Sequence, residues 1–408
     1  MAKSVPSLLL LPPPPDPITS AIVSAAYRPT LTAAILALKD LDSSTELHLA
    51  LPCPKLTGRL KLPRSQVYDE LQSLVGSLYS LVCLVCAKLG VDADTDSPGA
   101  VDARIVLINY DRTTNTVGHG PAVDPFVSGP IVDLITFATT RRVWNTIFAV
   151  ESEEGQEFLA RYTNYANRIN PPLQCNLVSL RGGVSMVQAA TRHSLSPTSP
   201  LLHNVVAVGG TFDHIHAGHK LLLTATALLL QPTSQPSPIQ RRLIVGITGD
   251  ELLKNKKYAE YLKSWHVRQN DVIAFLTSIV SFTRSDSREA IKVVTHNKPV
   301  PNGRAIHTTL KSSLITIECV EIQDVFGPTI TDESITALVV SGETRSGGQA
   351  VNDKRIEKGW SPLEVFEVDV LDATEPGDAP ATVQDFASKI SSTAIRKRKA
   401  EHTQTLSL

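Results

Sequence analysis

The sequence predicts an α/β protein in two parts: a mixed α/β domain, then a domain built on a parallel sheet with helices on both faces. Three observations carry this. At 408 residues the chain is too long for one ordinary core. A Ser/Pro-rich stretch, TRHSLSPTSPLLHN at 191–204, marks a linker. From Val205 onward, short apolar runs alternate with helix-length segments, the pattern of parallel strands joined by helical crossovers. The expected division is therefore 1–190, a linker at 191–204, 205–400, and a tail at 401–408.

In the first part, Leu31–Lys39, Leu71–Leu89 and Ser152–Arg168 read as helices and Arg104–Ile108 as a strand. Its His119 lies in the Gly/Pro-rich segment VGHGPAVDP, where a lone histidine is expected to be solvated. No catalytic constellation stands out there. In the second part the expected strands are Val205–Val208, Leu243–Thr248, Thr316–Ile322, Ala337–Ser341 and Leu363–Val370. The expected helices are Lys220–Leu230, Val267–Phe282, Gly348–Lys358 and one from Ser392. QPTSQPSPIQ near 231, THNKPVPNGR near 295 and DATEPGDAPAT near 372 read as surface loops. A sheet of this kind binds ligands at the C-terminal ends of its strands.

Composition narrows the classes. With 42% hydrophobic and 19% charged residues and a net charge of -1, the chain reads as a soluble globular protein without a nucleic-acid-coating surface. Five cysteines in no regular framework fit a reducing compartment. Cys83 and Cys86 form a CxxC inside an apolar run, without histidines or a second pair nearby, and are expected to be buried helix residues; no metal ligands are assigned. The N-terminus, MAKSVPSLLLLPPPPDPITS, has a leucine run cut by four prolines, too short for a signal peptide or a span. Leu71–Leu89 is longer, but its polar residues favour a core helix. These readings predict a cytoplasmic protein, with the nucleus as an alternative, and no membrane partner.

Chemistry concentrates in VVAVGGTFDHIHAGHKLLL, where a strand ends at Gly209-Gly210 and a helix begins near Gly218-His219. Glycines let backbone N–H groups approach a phosphate, and a helix start adds free donors and a positive dipole end. His216 and His219, three apart across that turn, can both face the anion. A metal pair is the weaker alternative, since no HExxH-like carboxylate accompanies them. Neither GxxxxGK[ST] nor GxGxxG occurs, which removes the usual support for kinase-type and dinucleotide readings.

GGTFDHIHAGH resembles the signature of the T/HxGH nucleotidyltransferases, which have a Rossmann-like sheet, and within them the eukaryotic-type phosphopantetheine adenylyltransferases. DELLKNKKY at 250–258, DVFGPT at 324–329, VSGETRSGGQAVNDKR at 340–355 and ISSTAIRKR at 390–398 extend the likeness over most of 203–398. The resemblance implies adenylyl transfer from ATP to 4'-phosphopantetheine, giving 3'-dephospho-coenzyme A and pyrophosphate, with Mg²⁺ accompanying ATP. It makes His219, His216 and Lys256 catalytic. ATP would be held by Gly209, Gly210, Phe212, Gly218, His219, Gly342, Glu343, Thr344, Ser391, Ser392, Thr393 and Arg396, and phosphopantetheine by Thr211, Lys256 and Arg345. Lys254 and Lys257 compete with Lys256, and SGETR stands where bacterial members have RGxR. Rival readings are an acceptor such as nicotinamide mononucleotide or a phospho-alcohol, or a non-catalytic scaffold. Against the first two, the GSFNP and RTxGIST segments of those relatives are absent. A separate enzyme is expected to take the product onward, with a complex of such pathway enzymes as an expected partner.

Overall fold

Two sets of buried apolar runs build two sheets. The computed structural model describes residues 5–113 (except 40–42, 58, 60–61, 94–96 and 98), 129–184, 202–232, 239–282, 291–300, 303–371 (except 370) and 391–406. His119 lies outside these residues, as do most of the linker, much of the QPTSQPSPIQ segment and all of DATEPGDAPAT.

The first sheet contains β1 (Ser7–Leu10), β2 (Thr45–Pro52), β3 (Val101–Asn109), β4 (Ile131–Asp133), β5 (Thr146–Val150) and β6 (Asn176–Leu180), all parallel in the order β4-β3-β2-β1-β5-β6. The leucine run near the N-terminus is thus a central strand, wholly buried between β2 and β5. Helices α1 (Ser20–Leu38), α2 (Tyr68–Leu89), α3 (Leu134–Thr140) and α4 (Glu153–Ala166) cover it. By length and composition α1 and α2 could cross a membrane, yet both carry a long buried face inside the protein. Cys83 and Cys86 sit on the buried side of α2, and burial pushes the Cys83 thiol up to about 12, so both behave as small apolar residues.

The second sheet runs β13-β12-β7-β8-β11-β10-β9. Its parallel part is β7 (Val205–Gly210), β8 (Arg241–Thr248), β11 (Ile315–Ile322), β12 (Ala337–Ser341) and β13 (Glu364–Val368). The helices are α5 (Ala217–Leu229), α6 (Trp265–Val280), α7 (Arg345–Glu357) and α8 (Ser392–Leu406). One expectation fails: THNKPVPNGR is no plain loop but part of a hairpin, β9 (Ile291–Val300) and β10 (Gly303–Leu310), that continues the sheet antiparallel beyond β11. Proline and polar residues are tolerated there because β9 is the edge strand.

The two sheets share a core. Apolar residues of α1, α2 and β3 form one buried cluster with those of α5, α6, β7 and β8. Helix α2 lies against α5, and Gly76 of α2 comes so close that a Cβ there would touch Leu221 at 3.4 Å. Gly129 donates its N–H to the Val280 carbonyl at 3.0 Å; a Cβ on it would fall 1.8 Å from the Ile279 carbonyl, so no other residue fits without moving backbone. Arg141 closes the seam by donating to the Ser278 and Ser281 carbonyls, both at 2.8 Å.

Candidate active site

The chain leaves β7 outward through β8 and β11, then returns to β12 on the other side of β7. The reversal opens a crevice at the C-terminal ends of β7 and β12, where sheets of this type take their ligands. β7 ends there in Gly209-Gly210, and β12 ends at Ser341, before a tight turn over Gly342–Thr344. The sequence-expected glycine turn and the SGETR segment therefore meet at one edge.

The turn from β7 into α5 is tightly folded. Phe212 and His214 both adopt left-handed backbone, at φ 50° and 45°, a strained pair within three residues. Phe212, expected among the ATP contacts, has a fully buried side chain that packs against the His219 ring, centroids 5.3 Å apart. Its part is to back that ring. His216 is the N-cap of α5 and makes no side-chain capping bond, while the His216 and His219 rings stack at 3.9 Å. Gly218 permits this, because a Cβ there would stand 3.2 Å from the His216 ring. The Nδ1 atoms of both rings are buried and have no protein hydrogen-bond partner among the described residues. Burial holds His219 down to about 4, partly opposed by the Asp213 charge, and holds His216 well below its ordinary value, with the nearby Lys220 ammonium acting in the same direction. Both imidazoles are thus neutral at neutral pH. Unpaired ring nitrogens at an open helix start are suited to receive an anion.

Asp213 joins this turn to the far end of the chain. Its carbonyl accepts from Ser392 Oγ at 2.7 Å, its carboxylate pairs with Arg396 at 2.7 Å, and it accepts the Lys263 N–H at 3.1 Å. The start of α8 is so brought onto the GGTFDHIHAGH turn. Arg396 is buried, and besides Asp213 it donates to the Lys257 carbonyl and Thr393 Oγ1, so here it clamps three segments rather than presenting a free cation. Ser391 Oγ accepts from the Ala394 N–H at 3.3 Å and caps α8. With the Ser392 hydroxyl engaged as well, α8 offers an anion chiefly the positive end of its dipole and the exposed Thr393.

Lys254, Lys256 and Lys257 are exposed in the segment after β8; Lys254 pairs with Glu251, while no ion pair of Lys256 or Lys257 occurs among the described residues. Thr211 is partly buried, and its carbonyl accepts from Arg268 at 2.7 Å. Gly342, Glu343 and Thr344 are exposed, with Thr344 and Ser341 forming a reciprocal cap. Arg345, also exposed, pairs with Glu367.

Sequence reasoning missed Asp213 and Arg268. Arg268 is fully buried on α6 and donates to the carbonyls of Thr211, Thr248 and Lys263 and to Asp250, tying the ends of β7 and β8 to the loop before α6. A signal was present: Trp265, Arg268, Val272, Phe275 and Ile279 fall on one helical stripe, and a charge on an apolar stripe must be satisfied by partners inside. No group of three or more His, Cys, Asp or Glu suited to a metal ion occurs among the described residues. A cavity of about 460 Å³ lies elsewhere, at the C-terminal ends of β1–β3, and shares no residue with this site.

Comparison with known proteins finds a separate match for each half of the chain. Residues 207–398 match the family described as cytidylyltransferase-like, and residues 1–186 match a domain of unknown function (DUF8446). The chain is 39% identical over 194 residues to a phosphopantetheine adenylyltransferase of Saccharomyces cerevisiae, covering 48% of each chain. It is 36% identical over 201 residues to an uncharacterised protein of Schizosaccharomyces pombe, covering 49% of this chain and 50% of that one. A phosphopantetheine adenylyltransferase of Pyrococcus abyssi is 29% identical over 191 residues, 47% of this chain and 87% of its own length. The chain thus spans about half the length of the two fungal relatives. Motif, strand order and comparison agree that the C-terminal half of this chain, residues 207–398, is similar to the cytidylyltransferase-like family.

Proposed function

We propose that this protein transfers the adenylyl group of ATP to 4'-phosphopantetheine, releasing pyrophosphate and forming 3'-dephospho-coenzyme A. The reading rests above all on the stacked His216–His219 pair at an open helix start, held against the start of α8 through Asp213. Similarity to named phosphopantetheine adenylyltransferases supports the choice of acceptor.

An oxygen of the acceptor phosphate attacks the α-phosphorus of ATP, and the bond to the α,β-bridging oxygen breaks, its electron pair leaving with pyrophosphate. The acceptor is already an anion at neutral pH, so the site needs no strong base; it must bring two anions into line and spread the charge that forms between them. Ring N–H donors of His216 and His219 and the N-terminus of α5 face the α-phosphate in this scheme. The positive end of α8 supports the β- and γ-phosphates, and Lys256 with Thr211 draws in the acceptor phosphate. Magnesium belongs to the substrate, carried on the triphosphate.

The test is direct: purified protein with ATP, Mg²⁺ and 4'-phosphopantetheine, read by pyrophosphate release. Release with this acceptor and none with nicotinamide mononucleotide is expected. The opposite preference would reassign the acceptor, and silence with both would favour a binding role.

A further inference from the structure

The domain of unknown function reaches into the catalytic half through a cluster of buried charges. Lys220, the residue directly after His219, is 2% exposed, and its ammonium lies 2.5 Å from the carboxylate of Asp102 on β3, itself 5% exposed. Asp102 also pairs with Arg104 at 2.8 Å, Arg104 with Glu46 at 2.8 Å, and Glu46 with His48 at 2.5 Å. Two cations and two carboxylates thus balance beside a histidine that burial keeps below its ordinary value. The Asp102 carboxyl is held far below the usual carboxylate range, since burial is outweighed by the two cations beside it. Arg104 donates in addition to the Ala274 carbonyl of α6 at 3.3 Å. Both helices that carry the site's ordering residues, α5 with His219 and α6 with Arg268, are therefore fastened to the same strand of the other domain. Successive helical residues point about 100° apart, so His219 faces the crevice while Lys220 faces β3.

We propose that Asp102 is a positioning residue for adenylyl transfer: through its ion pair with Lys220 the N-terminal domain fixes the rotation and height of α5 and so the place of the His219 ring. An apolar contact between α2 and α5 would hold the helices together but leave them free to slide; a buried, charge-balanced pair has one geometry, and breaking one side leaves an uncompensated charge. The role assigned to Asp102 is thus a function for the domain whose family description gives none.

The inference rests on the proposed activity for its kinetic part, so the experiment has a second arm that does not. In the full chain, Asp102→Asn is compared with wild type by steady-state kinetics and by hydrogen exchange without ligand. The expected result is a kcat about tenfold lower with KM for ATP and 4'-phosphopantetheine changed less than threefold, together with at least tenfold faster exchange in the first turns of α5 and unchanged exchange in β11 and β12. Lys220→Met, which leaves Asp102 paired with Arg104, is expected to give the same split and covers the case in which Asp102→Asn does not fold. Unchanged α5 protection in a folded variant overturns the inference, as does faster exchange with wild-type kcat. If wild type itself makes no pyrophosphate, the functional reading has failed, and exchange alone decides the anchor.

Discussion

The two halves share one arrangement of five parallel strands and part company at the turn after the first of them. β3-β2-β1-β5-β6 and β11-β8-β7-β12-β13 have the same order of parallel strands with the same reversal beside the first strand. After β7 the chain reads GGTFDHIHAGH; after β1 it reads LPPPPDPIT. Five prolines between Pro12 and Pro17 remove the backbone N–H groups with which a phosphate could be held, and no histidine lies between them and the end of α1. The cavity there is lined by Pro13, Pro14, Ile18, Leu71 and Leu74 together with charged side chains such as Lys55, Arg59, Glu70 and Arg112. The sheet supplies the place for a site, and the turn residues decide its chemistry.

That comparison breaks most severely if the halves are parted. In a fragment of residues 200–408 the buried faces of α5 and α6 that meet α2 and β3 would lie in water, with Lys220 stripped of its partner. The fragment is expected to be insoluble or to melt without cooperativity, and to make no product. A soluble fragment with a sharp thermal transition and wild-type kcat would show that the shared core is dispensable.

The next effect isolates the histidine turn from the scaffold. His219→Ala removes a donor aimed at developing charge, a loss of about 10²–10³-fold in kcat by the usual scale of such groups. Among the described residues His219 lies in no ion pair, and its ring meets only the Phe212 and His216 rings in aromatic contact, so the melting temperature is expected to stay within a few degrees of wild type. Equal loss of activity and of folded protein would move His219 from the chemistry into the scaffold.

How much of this was legible follows from where the deciding contacts lie. The GGTFDHIHAGH and ISSTAIR segments declare themselves because glycine, histidine and hydroxyl side chains at a strand-to-helix turn or a helix start have a local physical meaning. The Ser7–Leu10 strand did not, since a serine and three leucines ahead of a proline run look the same in a loop, and only β2 and β5 on either side make them a strand. His48 and Asp102 were passed over for the same reason: a charged or titratable residue in a strand reads as solvent-facing until a distant helix brings Lys220 over it. Arg396 looked like a phosphate cation because its partner, Asp213, sits in another motif.

The smallest effect tests the neutral state of the histidine pair. An unfolded histidine titrates near 6.5, whereas His219 in the folded protein titrates at about 4. Between those values the unfolded chain binds more protons than the native one, so native stability falls as pH is lowered from about 6.5 to about 4 and is unaffected by this group above that range. His216, displaced in the same direction, adds to the slope. No such pair follows β1, so the loss should register first at the turn after β7. Urea unfolding at pH 7 and pH 5 is expected to show a lower midpoint at pH 5, with the difference reduced in His219→Asn, which keeps a polar group of similar reach but cannot take up the proton. A variant that retains the full wild-type difference would mean that the slope arises at other titrating groups and that the His216–His219 pair is not held neutral by the fold.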